Sequence, residues 1–480
     1  MEQNPTLHAA TAALGTDPLV NKQPMQTHMG IQCMTAPTLT NWGGNQTCQP
    51  KKLFYPTSVE DCQAILKEAC QLKLPVRCMG IGHSFSRVAM NDDGYMLSMT
   101  QMRAMQPPRR MADLSDAWVV TVQAGVTVRE LDQMLRQHNP PLALATTVST
   151  DNITVGGMTS VGSVGVMTEK SSVSDLICEL TLLNSSGELC HFSEAKDSRE
   201  FSAACCSLGL MGIVCDITLK LIPMTDLRVA VLDSRPDMMT ILAGKRDFVK
   251  KAVHDADGTQ LMYWPDHQAS SMMNPTIWMK QYRWTDRPLQ LAKNTKLEVS
   301  DPIFKSFKTG EVVQEIPDAM HFSTEGSKIT LVEAGVNFKC DDDLVNVVEC
   351  LDMLIKEVNE FSSPSKKSIS IEMRIVRASS KMMSPIHDMD PTAKYCCINF
   401  ISLSGTQGFD QFACNMICKI MNKYHAIPPW SKQWENIPEV KKKMADFYGD
   451  RVMQFDHIRR KYDTHGIFVN KSFQGLFKSH

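Results

Sequence analysis

The sequence predicts an α+β fold. In the first half of the chain, two glycine-rich turns, a helix and a β-hairpin alternate with short strands, which is typical of an α+β domain. No G-x-G-x-x-G turn follows the first strand, so a Rossmann-type dinucleotide site is not indicated. Since 480 residues are too many for one ordinary domain, we expect two or three domains.

Composition is typical of a globular protein that does not bind nucleic acid. Hydrophobic residues make up 43% of the chain and charged residues 21%, a balance typical of soluble proteins. The formal net charge is -2, whereas binding to nucleic acid needs clustered Lys and Arg. The 16 cysteines have no C-x-x-C spacing, so no metal site is indicated and a reducing environment is expected.

No targeting or membrane-spanning segment is indicated. The first forty residues lack the patterns of a signal or transit peptide. The most apolar window, residues 203–222, is interrupted by Asp216 and Lys220, which argues against a transmembrane segment. We expect a cytoplasmic protein, and the sequence leaves peripheral contact with a membrane open.

The first elements lead into a glycine turn. Residues 1–40 are predicted to be weakly structured because Pro, Thr, Gln and Asn are dispersed through them. Ser58 is typical of a helix N-cap, and an apolar stripe of helical spacing follows it. A short buried strand at 74–78 then precedes Gly80-Ile81-Gly82-His83-Ser84-Phe85. Its two glycines permit a sharp turn whose N–H groups can bind an anion. By itself the stretch predicts a phosphate loop beside an ordinary histidine.

A second glycine-rich stretch covers residues 153–165. It holds four glycines within ten residues, so we expect neither an ordinary helix nor a strand but a backbone pressed against a flat ligand. A strand at 173–183 and a second strand to Phe192 predict a hairpin. A helix at 198–208 and a strand at 213–222 complete this half.

The composition of the chain changes near residue 224, where charged and aromatic residues become more frequent. Strands are predicted at 328–334 and 368–376, with a helix at 342–360 between them. In the second strand, Glu372 and Arg374 fall on the same face because side chains alternate along a strand. A bare Glu-x-Arg is more often a solvated surface pair.

We therefore divide the chain into four parts. They are a weakly structured extension (1–40), a ligand-binding α+β domain (41–225), a second α+β domain (226–445), and a C-terminal segment that completes the site or packs on the first domain (446–480).

The order of these motifs resembles the vanillyl-alcohol-oxidase type of flavoprotein, with its PCMH-type FAD-binding domain of two subdomains. Within it, the chain is similar to the aldonolactone oxidase branch of gulonolactone, galactonolactone and arabinonolactone oxidases and alditol oxidases. Gly80-Ile81-Gly82-His83-Ser84 resembles the G-x-G-H-S loop of that family, and the stretch 207–214 resembles its S-L-G-x-x-G-[IV] signature. The similarity runs from Asn41-Trp42 to the C-terminus.

The resemblance implies an FAD cofactor, a PCMH-type domain, and a cap domain with a large antiparallel sheet. It also implies a covalent bond between His83 and the flavin, the alternative being that His83 only hydrogen-bonds FAD. The cofactor-binding candidates are Gly80, Ile81, Gly82, His83, Ser84, Phe85, Gly156, Gly157, Ser160, Gly162, Ser163, Gly212, Ile213 and Val214.

The resemblance also implies four catalytic residues. Glu372 and Arg374 match a Glu-x-Arg that faces flavin and substrate, and Lys432 matches the lysine of P-H-W-x-K. Ser149 matches, more loosely, a position that contacts substrate hydroxyls. Cationic groups here would favour the alkoxide as hydride leaves for the flavin, while Glu372 orients Arg374.

Two positions depart from the family pattern, and a third lies near a place linked to oxygen entry. Val164 and Pro429 stand where relatives often have histidine, and Val148 lies where residue size is thought to gate oxygen. The resemblance therefore implies an FAD-dependent oxidoreductase acting on the CH–OH group of an aldonolactone or polyol, with molecular oxygen as acceptor. Alternatives are the same chemistry on a less polar secondary-metabolite alcohol, and a flavin-binding protein without turnover.

Overall fold

The described residues of the first half build two main sheets, a two-stranded sheet of β3 and β4, and four helices. The computed structural model describes residues 24–477 except 170, 235, 237–240, 242–243, 265–275, 291–309, 322–329 and 361–368. Its strands in this half are β1 (Gln26–His28), β2 (Ile31–Thr35), β3 (Leu39–Thr40), β4 (Thr47–Cys48), β5 (Lys52–Phe54), β6 (Val76–Met79), β7 (Tyr95–Ser98), β8 (Arg109–Met111), β9 (Ala117–Gln123), β10 (Leu142–Ala143), β11 (Ile177–Leu183), β12 (Leu189–Ser193) and β13 (Ile213–Pro223). The helices are α1 (Val59–Gln71), α2 (Val128–Gln137), α3 (Val155–Ser160) and α4 (Ser198–Cys205).

The smaller sheet has the order β1-β2-β5-β7-β6, and the larger one β12-β11-β13-β9-β8 with β10 beside β13. Helix α1 begins after Ser58, whose side chain accepts from the Asp61 amide as predicted. Its apolar stripe is buried between the two sheets, against residues such as Phe54 of β5 and Ile213 of β13. The hairpin predicted from the sequence is β11 and β12.

Three predictions for this half are wrong in detail. Part of the extension is ordered, since β1 pairs with β2 and β2 with β5; residues 1–23 lie outside the described residues. Residues 173–176 form a 3-10 turn before β11. The helix from Ser198 ends at Cys205, since Cys206 already leaves helical geometry (φ -129°, ψ 56°).

The second half builds one large sheet covered by helices on its outer side. Its strands are β14 (Arg228–Ser234), β15 (Gly258–Trp264), β16 (Thr276–Thr285), β17 (Gly310–Gln314), β18 (Leu331–Lys339), β19 (Ser370–Arg377) and β20 (Lys394–Leu403). The described helices are α5 (Lys245–His254), α6 (Ile316–Met320), α7 (Val345–Glu360), α8 (Phe409–Lys423), α9 (Val440–Tyr448) and α10 (Asp450–Tyr462). Every pairing in the order β17-β14-β16-β15-β19-β20-β18 is antiparallel, which confirms the α+β class and the predicted large antiparallel sheet.

The two faces of this sheet differ sharply in polarity. On the outer face, Leu261, Ile371 and Met373 pack against residues of α5 and α7. On the inner face, polar residues such as Glu372 and Asn399 turn toward the first half of the chain. Because side chains alternate along a strand, one apolar and one polar series can share the same strands.

The C-terminal segment returns to the first half. The carbonyl of Ile467 accepts from the Val76 amide at 2.7 Å, and Asn470 donates to the carbonyl of Met90 at 2.8 Å. Tyr462, at the end of α10, bonds to Glu200 of α4. None of the described helices is long and apolar enough to cross a membrane.

Candidate active site

A cavity of about 930 Å³ lies between the glycine-rich segments of the first half and the inner face of the seven-stranded sheet. This volume is in the upper range of small-molecule sites. Almost every candidate residue lines it: Gly80, Ile81, Gly82, His83, Ser84, Phe85, Ser149, Gly156, Gly157, Ser160, Gly162, Ser163, Gly212, Val214, Glu372, Arg374 and Lys432. The exception is Ile213, which is buried against α1 because its side chain points to the opposite side of β13 from that of Val214.

The Gly80–Ser84 loop presents unpaired backbone amides to this cavity. None of the described residues accepts a hydrogen bond from the amides of Ile81, Gly82, His83 or Ser84. The loop is held from both sides, since the Gly82 carbonyl accepts from the Trp42 amide at 2.9 Å and the Phe85 amide donates to Ser431 at 2.7 Å. Gly82 has φ 77°, a conformation that favours glycine. Converging free amides of this kind bind phosphate oxygens.

His83 stands in this loop as a neutral, oriented imidazole. Its ring stacks on Trp42 with centroids 4.7 Å apart, and its buried Nε2 has no hydrogen-bond partner among the described residues. Burial and the charge of Lys432 lower the pKa of His83 to about 4. The ring is therefore unprotonated near neutral pH and available as a nucleophile or an acceptor.

The second glycine stretch forms a short helix, which corrects the prediction that it would form none. Thr154 caps α3 by accepting from the Gly157 amide at 3.2 Å. A Cβ at Gly156 would lie 2.7 Å from the Cβ of Ala124, so glycine lets α3 press directly against the turn after β9. The rest of the stretch, through Ser160, Gly162 and Ser163, lines the cavity.

Glu372 and Arg374 form a buried ion pair at the inner face. The two residues are 5% and 8% exposed, and Arg374 Nε lies 3.6 Å from Glu372 Oε1. Asn399 Nδ2 donates to Glu372 Oε2 at 2.6 Å, and Gln260 Nε2 donates to Oε1. Burial opposes ionisation, but Arg374 and the two amides outweigh it, so the pKa of Glu372 lies below its ordinary value. Burial alone would lower the pKa of Arg374, yet Glu372 raises it above the ordinary value. The pair is charged.

Lys432 enters the same cavity from a segment fixed by two buried tryptophans. Trp430 Nε1 donates to the Met383 carbonyl at 2.7 Å, and Trp434 Nε1 donates to the Trp430 carbonyl at 3.1 Å. Lys432 Nζ forms an ion pair with Glu333 of β18 and lies 5.2 Å from the centre of the Phe85 ring. Two ion pairs, Glu372–Arg374 and Glu333–Lys432, therefore lie in the wall of the cavity.

The positions that depart from the family pattern also lie at the cavity. Val164 and Pro429 line it, and the carbonyls of Val164 and Gly165 accept from Arg374 at 3.2 and 3.3 Å. Arg374 is thus held by backbone oxygens at a position where relatives often have a histidine. Val148 lies in the wall beside Ser149, and its carbonyl bonds to His321 Nδ1 at 2.8 Å.

Sequence reasoning missed several residues of the cavity. Glu333, Gln260 and Asn399 contact the predicted cations or carboxylate, and their signal was a polar residue at an inward position of an otherwise apolar strand. Arg77 is 3% exposed and bonds to four carbonyls, those of Val88, Leu208, Gly209 and Phe468. Burial lowers its pKa to about 10, so it stays charged beneath the Gly80–Ser84 loop. No sequence pattern marks that network, since its partners are backbone atoms of distant segments.

These residues fit FAD. The cofactor is long and carries a pyrophosphate, so it needs free amides and close backbone approach. Both are present, at Ile81–Ser84 and at α3, and the unpartnered nitrogen of His83 faces the same space.

Family models match both halves. Residues 50–193 match the FAD binding domain, and residues 340–476 match the D-arabinono-1,4-lactone oxidase domain. The chain therefore carries an FAD binding domain and a D-arabinono-1,4-lactone oxidase domain. With these two domains it is an FAD-dependent oxidoreductase acting on CH–OH donors.

Sequence identity to the relatives is low, but the similarity to some of them extends over almost the whole chain. An L-gulonolactone oxidase of Mus musculus is 23% identical over 91% of this chain and 97% of its own length. One of Bos taurus is 30% identical over 40% of this chain and only 42% of its own length. A cholesterol oxidase from B. sterolicum superposes with a TM-score of 0.78 at 15% identity, covering 95% of this chain and all of the other, which shows a shared fold.

Proposed function

We propose that this protein oxidises a hydroxyl-bearing carbon of an aldonolactone, with molecular oxygen as the electron acceptor. The observation that carries the proposal is the group of Glu372, Arg374 and Lys432 on one wall of the cavity that His83 also lines. The names of the relatives, L-gulonolactone oxidases, support the lactone as substrate class.

FAD supplies the hydride acceptor when it is bound. The residues of this chain prepare the substrate: Lys432 and Arg374 place positive charge where the hydroxyl oxygen becomes negative as its proton departs. Glu372, held ionised, fixes the direction of Arg374. The burial of this pair strengthens each of these interactions, because little water screens them.

We further propose that His83 bonds covalently to the flavin. The ring is neutral near pH 7, is held in place by Trp42, and has a buried nitrogen without a partner among the described residues. Each of these properties favours an imidazole acting as nucleophile toward an electrophilic methyl carbon of the flavin. The new bond would replace one C–H bond of that methyl group and the imidazole N–H, and the two electrons released would pass through the flavin to molecular oxygen.

The substrate class is tested with purified protein and three lactones, gulono-, galactono- and arabinono-1,4-lactone. We expect hydrogen peroxide from at least one of them, formed at least about a hundredfold more slowly by an Arg374→Met variant that retains FAD. An artificial dye acceptor in parallel separates oxidase from dehydrogenase activity. Silence on all three lactones with both acceptors would overturn the proposed substrate class.

The covalent bond is tested by acid precipitation. Yellow colour should remain in the pellet of the wild type and move to the supernatant in His83→Ala. A colourless wild-type pellet, or unchanged retention in the variant, would refute the bond without bearing on the substrate.

A further inference from the structure

A buried hydrogen-bonded chain leads from Tyr282 of β16 to Glu372. The Tyr282 hydroxyl donates to Gln260 Oε1 at 3.0 Å, and Gln260 Nε2 donates to Glu372 Oε1. All three side chains are deeply buried, with 1%, 0% and 5% exposed. The second carboxylate oxygen, Glu372 Oε2, accepts a hydrogen bond from Asn399 Nδ2 at 2.6 Å.

Tyr282 decides which way the Gln260 amide points. An amide can present either its oxygen or its N–H₂ group to a carboxyl, and the two orientations favour opposite protonation states. Among the described residues, only the Gln260 oxygen accepts the buried Tyr282 proton. Turning the amide over would leave that buried donor unsatisfied, which is unfavourable. The hydroxyl therefore directs the Gln260 N–H₂ group toward Glu372.

The orientation of the Gln260 amide also affects Arg374, because both residues contact Glu372. A carboxylate that accepts from two amides is stabilised as an anion, and this anion attracts the guanidinium 3.6 Å away. Arg374 then donates to the carbonyls of Val164 and Gly165 in the cavity wall. If Glu372 took up a proton, Arg374 would lose the charge that holds it.

We propose that Tyr282 and Gln260 are positioning residues of this site: the Tyr282 hydroxyl orients the Gln260 amide so that it donates to Glu372 and keeps that carboxylate ionised beside Arg374. The proposal deepens the proposed function and rests on it for its catalytic meaning. The charge state of Glu372 does not depend on the substrate, so it can be measured without one.

Other charged and titratable groups surround this network, and each stays in place in the variants below. Arg374 and Lys432 lower the pKa of Glu372, while Cys397 and Glu333 act on Arg374 from β20 and β18. Asp233 acts on Tyr282, and Lys280 lies over the Tyr282 ring.

The test measures the protonation of Glu372 by infrared difference spectroscopy on the full-length protein with its FAD. The carboxyl C=O stretching band that appears as pH falls is assigned by its absence in Glu372→Gln. In Tyr282→Phe we expect this band at higher pH than in the wild type, by about one unit for the loss of one oriented hydrogen bond. Gln260→Leu should move it further in the same direction.

Tyr448→Phe is the matched control, because it removes a buried hydroxyl that donates to Met383 at 3.1 Å and leaves Gln260 untouched. Its band should appear at the wild-type pH. A band that appears in Tyr282→Phe at the wild-type pH would overturn the proposal. This variant tests the proposal by itself, even if Gln260→Leu does not fold.

The measurement uses no substrate, so its result can be interpreted even if the lactone assay fails.

Discussion

Glu333 and Lys432 pair across the cavity, and neither residue type would identify the pair from sequence alone. Lys432 was predicted through a motif, and its anchoring follows from the buried Trp430 in the same motif. Glu333 comes from a strand nearly one hundred residues earlier and meets Lys432 because Gln433 bridges to Ala334 on β18. A local motif therefore predicted Lys432, whereas its counter-ion Glu333 is identified only from the fold.

We predict that Glu333→Gln lowers kcat/KM by about tenfold, equal to about 1.4 kcal/mol of transition-state stabilisation. The neutral amide cannot hold the Lys432 ammonium in one place, so its charge reaches the substrate oxygen less often. Steady-state kinetics with a lactone measures the change. Glu357→Gln is the control, since it breaks an ion pair with Lys419 at 2.5 Å on the outer helices. Equal kcat/KM in Glu333→Gln and wild type would contradict the assignment.

Among the elements, the short helix α3 and the inner face of the sheet show what periodicity can and cannot predict. Alternation along β19 placed Glu372 and Arg374 on one face, and the structure confirms that placement. The same kind of reasoning failed at 155–160, because glycine content argues against a helix in isolation while packing against Ala124 stabilises one here. Tertiary contacts outweighed local propensity.

Gly156 and Gly157 therefore make a matched pair of substitutions in α3. We predict that Gly156→Ala destabilises the protein by about 1–3 kcal/mol, since its Cβ would lie 2.7 Å from Ala124 Cβ and 2.9 Å from its carbonyl oxygen. Gly157→Ala should cost less, because the nearest atom to its Cβ is the Thr154 hydroxyl at 3.0 Å. Urea denaturation compares the two. Equal losses would show that close approach to Ala124 is not what requires glycine.

At the scale of the whole molecule, two halves with separate sheets enclose one large cavity, and buried histidines couple the fold to pH. The α+β class and the large antiparallel sheet were predictable from strand and helix patterns. The order within each sheet was not, because strands such as β15 and β19 pair across more than a hundred residues. Resemblance to family motifs predicted most of the residues that line the cavity, since the glycine loops and the Glu-x-Arg are short local patterns.

We predict that His387 makes the protein less stable in acid. Burial and the charge of Arg451 lower the pKa of His387 to about 4, whereas the unfolded chain takes up its proton near pH ~6.5. The free energy of unfolding should therefore fall as pH decreases from about 6.5 to about 4, by at most about 3 kcal/mol from this group.

His387→Gln should flatten this pH dependence because a glutamine does not titrate in this range. The glutamine can still donate to the Lys381 carbonyl that His387 contacts at 3.1 Å. Urea denaturation across this pH range measures the slope. His254→Gln is the control, since the His254 side chain is 90% exposed. A slope in His387→Gln as steep as in the wild type would contradict the buried neutral state.

We propose that an aldonolactone is oxidised in the cavity between the two halves, with Arg374 and Lys432 acting beside FAD. This proposal is tested most directly by mixing the purified protein anaerobically with each of the three lactones and following the yellow absorbance of the flavin. We predict that at least one lactone bleaches the wild type, and that Arg374→Met with bound FAD bleaches at least about a hundredfold more slowly. Flavin that dithionite reduces but that no lactone bleaches would contradict the claim.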